Sequence, residues 1–209
     1  MPNRFLKRTA AVVLVALSAS LPLAAQEAEE GDGDEQKIMA LPVHTLGDQT
    51  LSISAGVFVP LFYQQFNGTY WKNNLKVGGT GSLQWNAYLS SAFRLGLEVS
   101  TSFCMDPNKD PLVMLPITVK GAYVLDVSRF EFPVFLGVGM TIMRYQEWSY
   151  IDLIFKPGFA AYWRYDANWS FGFNCVWWLD MQFATGSRPP EESMMLNTLE
   201  ITPSIFYNF

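Results

Sequence analysis

Side chains that could carry covalent or metal chemistry are few in this chain of 209 residues. It has one histidine, His44, and two cysteines, Cys104 and Cys175. A serine hydrolase needs a histidine beside its nucleophile, and a zinc site needs about four suitable ligands. His44 lies ahead of the first predicted strand, and we interpret Glu147 and Asp152 as solvated carboxylates beside a loop, without the spacing of an acid–base pair. We therefore expect no enzyme, no metal ion and no cofactor.

The two cysteines also lack the placement of a disulfide. In the strands derived below, Cys104 faces inward at a strand end and Cys175 faces outward near the middle of a strand. Side chains that diverge in this way cannot be bridged without moving the backbone. We expect two free thiols.

Charged side chains form a second group, because they recur at alternate positions with apolar neighbours. Alternation of this kind places charge and hydrocarbon on opposite faces of a strand. A buried charge is costly unless it is paired, and four basic and four acidic residues can pair. We therefore predict a network of paired charges inside a barrel, made by Arg94, Glu98, Lys120, Glu131, Lys156, Arg164, Asp180 and Glu200.

The same alternation predicts the strands that carry these charges. In residues 78–103, Leu83 and Trp85 alternate with Gln84 and Asn86, and the pattern resumes after a tight turn at 90–92. A period of two on both sides of a tight turn indicates a β-hairpin. Six further segments show this period, at about 49–60, 111–125, 130–143, 152–164, 169–181 and from Leu199 to Phe209. The sequence therefore predicts eight strands.

The connections between the predicted strands alternate in length. Longer ones fall at about 61–76, 104–110, 144–151 and 182–193, and shorter ones at about 90–92, 126–129 and 165–168. Outer-membrane barrels combine short periplasmic turns with longer extracellular loops. We therefore predict an all-β fold, an eight-stranded antiparallel up-and-down transmembrane β-barrel with its apolar face in lipid.

A soluble β-sandwich is the alternative fold, with the apolar faces of two sheets packed together. The polar face of the predicted strands carries glycines such as Gly137 and Gly139, which are unfavourable at solvent-facing strand positions. Aromatic residues also gather at the strand ends, as expected at the two lipid–water boundaries. They are Phe93, Tyr123, Phe130, Trp163, Trp169, Tyr207 and Phe209 beside the short turns, and Tyr63, Tyr70, Trp71, Tyr145, Trp148 and Tyr150 at the other end. These observations favour the barrel.

Residues 1–25 have the pattern of a cleaved secretory signal peptide. Arg4, Lys7 and Arg8 precede a short apolar stretch that ends in small residues at Ala25. Removing these three basic residues changes the net charge from −5 to −8, so nucleic acid is not an expected partner. Residues 26–47 contain an acidic, glycine-containing run that is typical of disorder. The predicted organisation is a signal peptide (1–25), an acidic segment (26–47) and the barrel (48–209).

Two stretches of sequence resemble known outer-membrane proteins. The ending Leu199-x-Ile201-x-Pro203-x-Ile205-x-Tyr207-x-Phe209 resembles their C-terminal assembly signal, which implies recognition of Ile205, Tyr207 and Phe209 by the barrel-assembly machinery. Residues 113–209 are similar to the OmpW family of small channels, through Leu115-Pro116-Ile117-Thr118, residues 132–139, Asn168-Trp169 and Val176-Trp177-Trp178-x-Asp180. The resemblance implies entry of apolar solutes from outside and their lateral release into the membrane.

Apolar residues on the inward phase of the strands give this function a candidate site. They are Phe58, Leu112, Met114, Met143, Val176, Trp178 and Leu196, all near the predicted extracellular ends. A dry pocket there suits a small hydrophobic solute, although the same residues could simply pack the interior, since eight strands enclose little space. The alternative function is a surface interaction protein that uses its loops as an adhesin or to bind a host factor. We expect a monomer in the outer membrane, surrounded by lipid.

Overall fold

The computed structural model describes residues 44–66, 68–146, 148–183 and 193–209. The predicted signal peptide and most of the acidic segment lie outside these residues. Nine strands lie in the described residues: β1 (Gln49–Gln65), β2 (Tyr70–Lys72), β3 (Gly78–Tyr88), β4 (Phe93–Met105), β5 (Pro111–Val127), β6 (Phe130–Tyr145), β7 (Trp148–Arg164), β8 (Trp169–Gln182) and β9 (Met194–Asn208). Within the described ranges no helix is long and apolar enough to cross a membrane.

Eight of these strands form a closed antiparallel barrel. The order is β1-β3-β4-β5-β6-β7-β8-β9, and pairing of β1 with β9 closes the ring. Closure removes every free strand edge, which is the condition for a sheet to exist in lipid. The short strand β2 pairs with the last residues of β1, beyond the point where β1 pairs with β3. The predicted fold class is confirmed.

Side chains alternate between an apolar outside and a polar inside. On the β4–β5 pair, Leu97 lies opposite Val119 and both are exposed, whereas the adjacent Glu98 and Lys120 are buried. This pattern continues around the ring and leaves an outer surface of exposed aliphatic and aromatic residues. Such a surface is unfavourable in water but suits a lipid environment.

The two ends of the barrel differ in how the strands are connected. Short turns at residues 89–92, 128–129 and 165–168 lie at one end, together with the chain ahead of β1 and with Phe209. We call this the turn end, and the opposite end the loop end. In outer-membrane barrels the corresponding ends face the periplasm and the exterior.

Two predicted loops are shorter in the structure because strand pairing continues into them. Residues 144–151 were expected to form a loop, but β6 runs to Tyr145 and β7 begins at Trp148, with those two residues paired. Likewise β1 continues to Gln65, where β2 folds back on it. The apolar alternation stops where strands leave the lipid-facing zone, so it could not mark these extensions.

Candidate functional site

The turn end of the barrel is closed by a cluster that includes His44. Its Nε2 atom lies 3.1 Å from Glu131 Oε1, and its ring stacks on Tyr88 at 4.0 Å between centroids. Arg164 lies beside the same carboxylate, with 3.5 Å between its Nε and Glu131 Oε1. His44 lies ahead of β1, as predicted, but its side chain packs against the turn end of the barrel. A histidine can pack here because its ring stacks on an aromatic ring and its nitrogen contacts a buried carboxylate.

The middle of the barrel holds a fully buried ion-pair cluster. Glu98 forms one ion pair with Lys120 and another with Lys156. Lys156 Nζ also lies 3.6 Å from Glu200 Oε2. Ser100 and Gln84 supply further oxygens, each 3.0 Å from a lysine nitrogen. Two basic and two acidic groups satisfy each other, as a buried set must. We call Glu98, Lys120, Lys156 and Glu200 the central cluster.

The remaining two members of the predicted network lie apart from the central cluster. The Arg94 guanidinium is buried near the turn end, with its central carbon 5.2 Å from the centre of the Phe206 ring and 5.8 Å from that of Tyr162. Asp180 is buried towards the loop end. All eight predicted charges are therefore inside the barrel, although they form separate groups rather than one network.

Trp178 separates the central cluster from the loop-end half of the lumen. Its indole N–H donates to Glu200 Oε2 at 2.6 Å, and Lys156 Nζ lies 4.2 Å from the centre of its ring. Its other side packs edge-on against Phe58, at 5.0 Å between centroids. Trp178 and Phe58 have no solvent exposure. Side chains therefore pack the lumen closed at this level.

The seven residues predicted to line a pocket are all buried and belong to one apolar core cluster: Phe58, Leu112, Met114, Met143, Val176, Trp178 and Leu196. Two of them, Leu112 and Met143, also line an open space. Contact of any of the seven with a ligand stays a prediction.

That open space is a cavity of about 650 Å³ at the loop end, which we call the mouth cavity. Leu112 and Met143 contribute to its apolar surface, together with Leu75 and Phe183. Its remaining lining residues are polar or aromatic: Tyr63, Lys72, Asn73, Asn74, Asp106, Pro107, Asn108, Tyr145, Tyr150, Asp152 and Gln182. A volume of this size and a mixed lining are typical of small-molecule sites.

Asp152 is the buried carboxylate of the mouth cavity. It is 7% exposed, and its Oδ2 atom has no hydrogen-bond partner among the described residues. The expectation of a solvated surface carboxylate was wrong, because β7 begins before Asp152 and turns the residue inward. Asp180 lies on the neighbouring strand with neither carboxylate oxygen satisfied by a well-aligned hydrogen bond in the described structure. The two acids interact electrostatically with each other.

Asp106 also lines the mouth cavity, but its carboxylate is occupied by the protein. Oδ1 accepts the Asp110 N–H at 2.8 Å, and Oδ2 accepts the Tyr145 hydroxyl at 2.9 Å. Burial acts to raise the pKa of Asp106, but these hydrogen bonds outweigh it and hold the pKa below its ordinary value. Asp106 therefore stays ionised and orders the 106–110 loop.

The three tyrosines of the cavity were expected at the lipid boundary. Tyr145 and Tyr150 share the inward phase of Met143 and Asp152, because β6 and β7 continue through the residues where a loop was predicted. Tyr63 lines the cavity for another reason. The pairing of β1 with β9 shifts between Pro60 and Phe62, and such a bulge reverses which residues face inward.

Residues at the turn end agree with the predicted outer band. Phe93, Tyr123 and Phe130 are exposed on the outside, as are Trp163 and Trp169. The residues of the predicted assembly signal, Ile205, Tyr207 and Phe209, are also exposed there. Their recognition by an assembly machinery stays a prediction.

The cysteines and the possible metal ligands complete the chemistry-bearing residues considered in the sequence. Cys104 and Cys175 are both free, as predicted. No group of three or more histidine, cysteine, aspartate or glutamate side chains in the described ranges could hold a metal ion.

Sequence comparison places the chain in a family. A protein-family model matches residues 29–207, so the chain belongs to that family. An uncharacterized protein of Treponema pallidum is 28% identical over 172 residues, which cover 76% of this chain and 78% of that protein. An uncharacterized protein of Borreliella burgdorferi is 24% identical over 163 residues, which cover 68% of this chain and 76% of that protein.

Structural comparison gives a second, independent likeness. Neisserial surface protein A superposes with a TM-score of 0.55 at 7% sequence identity, over 78% of this chain and 97% of that protein. At this identity the likeness concerns the fold alone. The chain has the closed eight-stranded fold of small outer-membrane barrels.

Proposed function

We propose that this protein is an outer-membrane barrel that binds a small, largely apolar solute in its mouth cavity, above a lumen packed closed. The observation that carries the proposal is a cavity of about 650 Å³ lying directly over a solvent-free layer of side chains. The cavity has room for a small molecule, and the layer beneath it blocks onward diffusion.

The lining of the mouth cavity supports an amphipathic solute. Leu75, Leu112 and Met143 offer hydrocarbon, and tyrosine rings offer flat apolar surface with a polar tip. A few polar groups among apolar walls are what fixes the orientation of a bound small molecule. This mixture differs from the largely apolar core beneath it.

The packed interior favours binding over free passage. Below the cavity, Ile154, Trp178 and Leu196 have no exposed surface, and the central cluster follows. The resemblance to OmpW-like channels implies entry of solutes from outside, for which a mouth cavity is a suitable first site. Passage beyond it would require movement of the side chains that close the lumen.

A surface interaction function is the second candidate, and one feature favours it. The arm formed by the end of β1 and by β2 carries exposed aromatic residues, including Tyr70 and Trp71. Phe66 on this arm stacks on Phe183 at 5.8 Å. Exposed aromatic residues beyond a membrane surface could serve a protein partner.

Filling the mouth cavity tests the binding proposal. We would measure binding of 4-phenylbutan-1-ol by calorimetry with the barrel in phosphatidylcholine nanodiscs. Met143→Trp should reduce the affinity by about tenfold, because the larger side chain occupies space that the solute needs. Met140→Trp is the matched control, since Met140 lies on the same strand but faces outward.

Two results would decide between the candidates. Equal binding by wild type and Met143→Trp, with both folded, would contradict the mouth cavity as the binding site. Replacing Tyr70 and Trp71 by serine should leave solute binding unchanged, because neither side chain lines the cavity.

A further inference from the structure

The charged side chains of the mouth cavity differ in whether the protein or solvent satisfies them. Asp106 is held by its own loop, and Lys72 is exposed at the edge, where water can solvate it. Asp152 instead lines the cavity at 7% exposure, and its Oδ2 atom is both inaccessible and unpartnered among the described residues. Such a group is costly to keep without a hydrogen-bond donor. The group that would relieve this cost is positively charged or donates a hydrogen bond.

Aromatic rings surround the same space. Tyr63, Tyr145 and Tyr150 all line the cavity. The face of a tyrosine ring attracts a cation within about 6 Å. The barrel already uses this interaction in its interior, where Lys120 Nζ lies 4.2 Å from the centre of the Phe135 ring. Rings and an unpaired carboxylate together are a suitable environment for an ammonium group.

A second buried polar side chain beside the cavity also has an atom without a partner. Asn73 is buried and lines the cavity, and its Oδ1 accepts the Leu75 N–H at 2.7 Å. Its Nδ2 donor has no acceptor among the described residues. This nitrogen has almost no accessible surface, so it does not face the open space of the cavity. The character of a ligand is therefore argued from Asp152 and the rings.

We propose that the mouth cavity recognises an organic cation: a protonated amine on a small apolar body, with the ammonium group on Asp152 and between tyrosine rings. This inference rests on the proposed binding function and adds the charge of the solute. A divalent metal is disfavoured as the ligand, because the described residues offer no group of three ligating side chains.

Matched probes separate the charge of the ligand from its shape. Protonated 4-phenylbutylamine and neutral 4-phenylbutan-1-ol have the same length and the same aromatic body. Their affinities would be measured with full-length protein in phosphatidylcholine nanodiscs at pH 7, with empty nanodiscs subtracted. We expect wild type to bind the amine about tenfold more tightly than the alcohol.

Two isosteric substitutions test the role of Asp152. Asp152→Asn should remove the preference for the amine and leave the affinity for the alcohol within about twofold, because shape is kept and charge is lost. Asp110→Asn removes the same charge from the adjacent loop outside the cavity, and should keep the preference. Tyr63→Leu should weaken binding of the amine more than Tyr63→Phe, because only the latter keeps the ring.

The outcomes distinguish the two proposals. Equal affinities of wild type for amine and alcohol, or a preference retained by folded Asp152→Asn, would overturn the cation inference while leaving the binding function intact. Failure of wild type to bind either probe would overturn the binding function itself. Gel migration with and without heating would confirm that each variant is folded, because a closed barrel resists detergent until heated.

Discussion

Two buried carboxylates in this barrel have opposite surroundings. Glu98 in the central cluster lies between two lysines and is satisfied by the protein alone. Asp152 in the mouth cavity is almost as buried, yet one of its oxygens has no partner among the described residues. Both side chains point inward, but from different levels of the same lumen. The difference separates charges that hold the barrel together from a charge that is available to a ligand.

This comparison also explains why inward charge alone is a poor guide to function. An eight-stranded barrel has too little interior to hold water throughout, so most of its polar residues must satisfy one another. A lysine or glutamate on the inward phase is therefore usually structural. The informative residue is the one that the fold leaves unpaired beside open space.

The largest expected effect is the loss of Lys156 from the central cluster. Lys156→Met keeps a similar side-chain length but leaves Glu98 and Glu200 without their shared cation. We expect the free energy of unfolding to fall by about 3–5 kcal/mol, the usual cost of breaking a buried ion pair. The measurement is urea unfolding of the barrel in detergent micelles.

Lys76→Met is the control for that variant, because Lys76 is exposed at the loop end. Its effect should be within about 0.5 kcal/mol. Equal unfolding midpoints for the two variants would mean that the central cluster is hydrated and contributes little. Combining Lys156→Met with Glu98→Gln should cost less than the sum of the two single changes, since they share one interaction.

A smaller effect is expected from Trp178, the residue between the central cluster and the apolar core. Trp178→Phe removes the indole donor to Glu200 and leaves that oxygen with one partner fewer. The expected loss is about 2 kcal/mol, in the range for an unsatisfied buried group. Trp85→Phe is a matched control, because Trp85 faces outward and its N–H donates to Gln49 Oε1 in an exposed hydrogen bond. A similar loss in both variants would contradict a special role for Trp178.

The smallest effect concerns the pH dependence of the mouth. The pKa of Asp106 is lowered in the folded protein, so its contribution to stability is full above its ordinary pKa and is lost as pH falls through the folded value. Tyr145→Phe removes one hydrogen bond to the carboxylate and should raise this pKa towards the ordinary value. Carbon-detected NMR titration of Asp106 would measure the change in its pKa. An unaltered titration would contradict the claim that the Tyr145 hydroxyl lowers this pKa.

Much of the fold could be predicted because lipid imposes a strict period of two. Leu97 and Val119 had to face outward, and this fixed the inward direction of Glu98 and Lys120. The prediction failed where lipid no longer constrains the strands. The paired residues Tyr145 and Trp148 lie in a predicted loop, and β2 had no sequence signal of its own.

The candidate site was predicted only in part. Inward apolar residues such as Leu112 and Met143 could be identified, but the boundary between packed core and open cavity depends on how side chains meet across the lumen. The inward turn of Tyr63 depends on a bulge, which alternation cannot reveal. The burial of His44 and Asp152, and the missing partner of Asp152, likewise depend on contacts between distant strands.

The most direct test compares the same chemical change at both carboxylates. Glu98→Gln and Asp152→Asn each replace a buried carboxylate by a carboxamide of equal shape, and the free energy of unfolding of each would be measured without ligand. We predict a loss of about 3 kcal/mol for Glu98→Gln, because two lysines lose their counter-ion. Asp152→Asn should be neutral or stabilising by about 1 kcal/mol, because an unpaired buried charge is removed. A loss of similar size in both variants would contradict the division between structural and available charges.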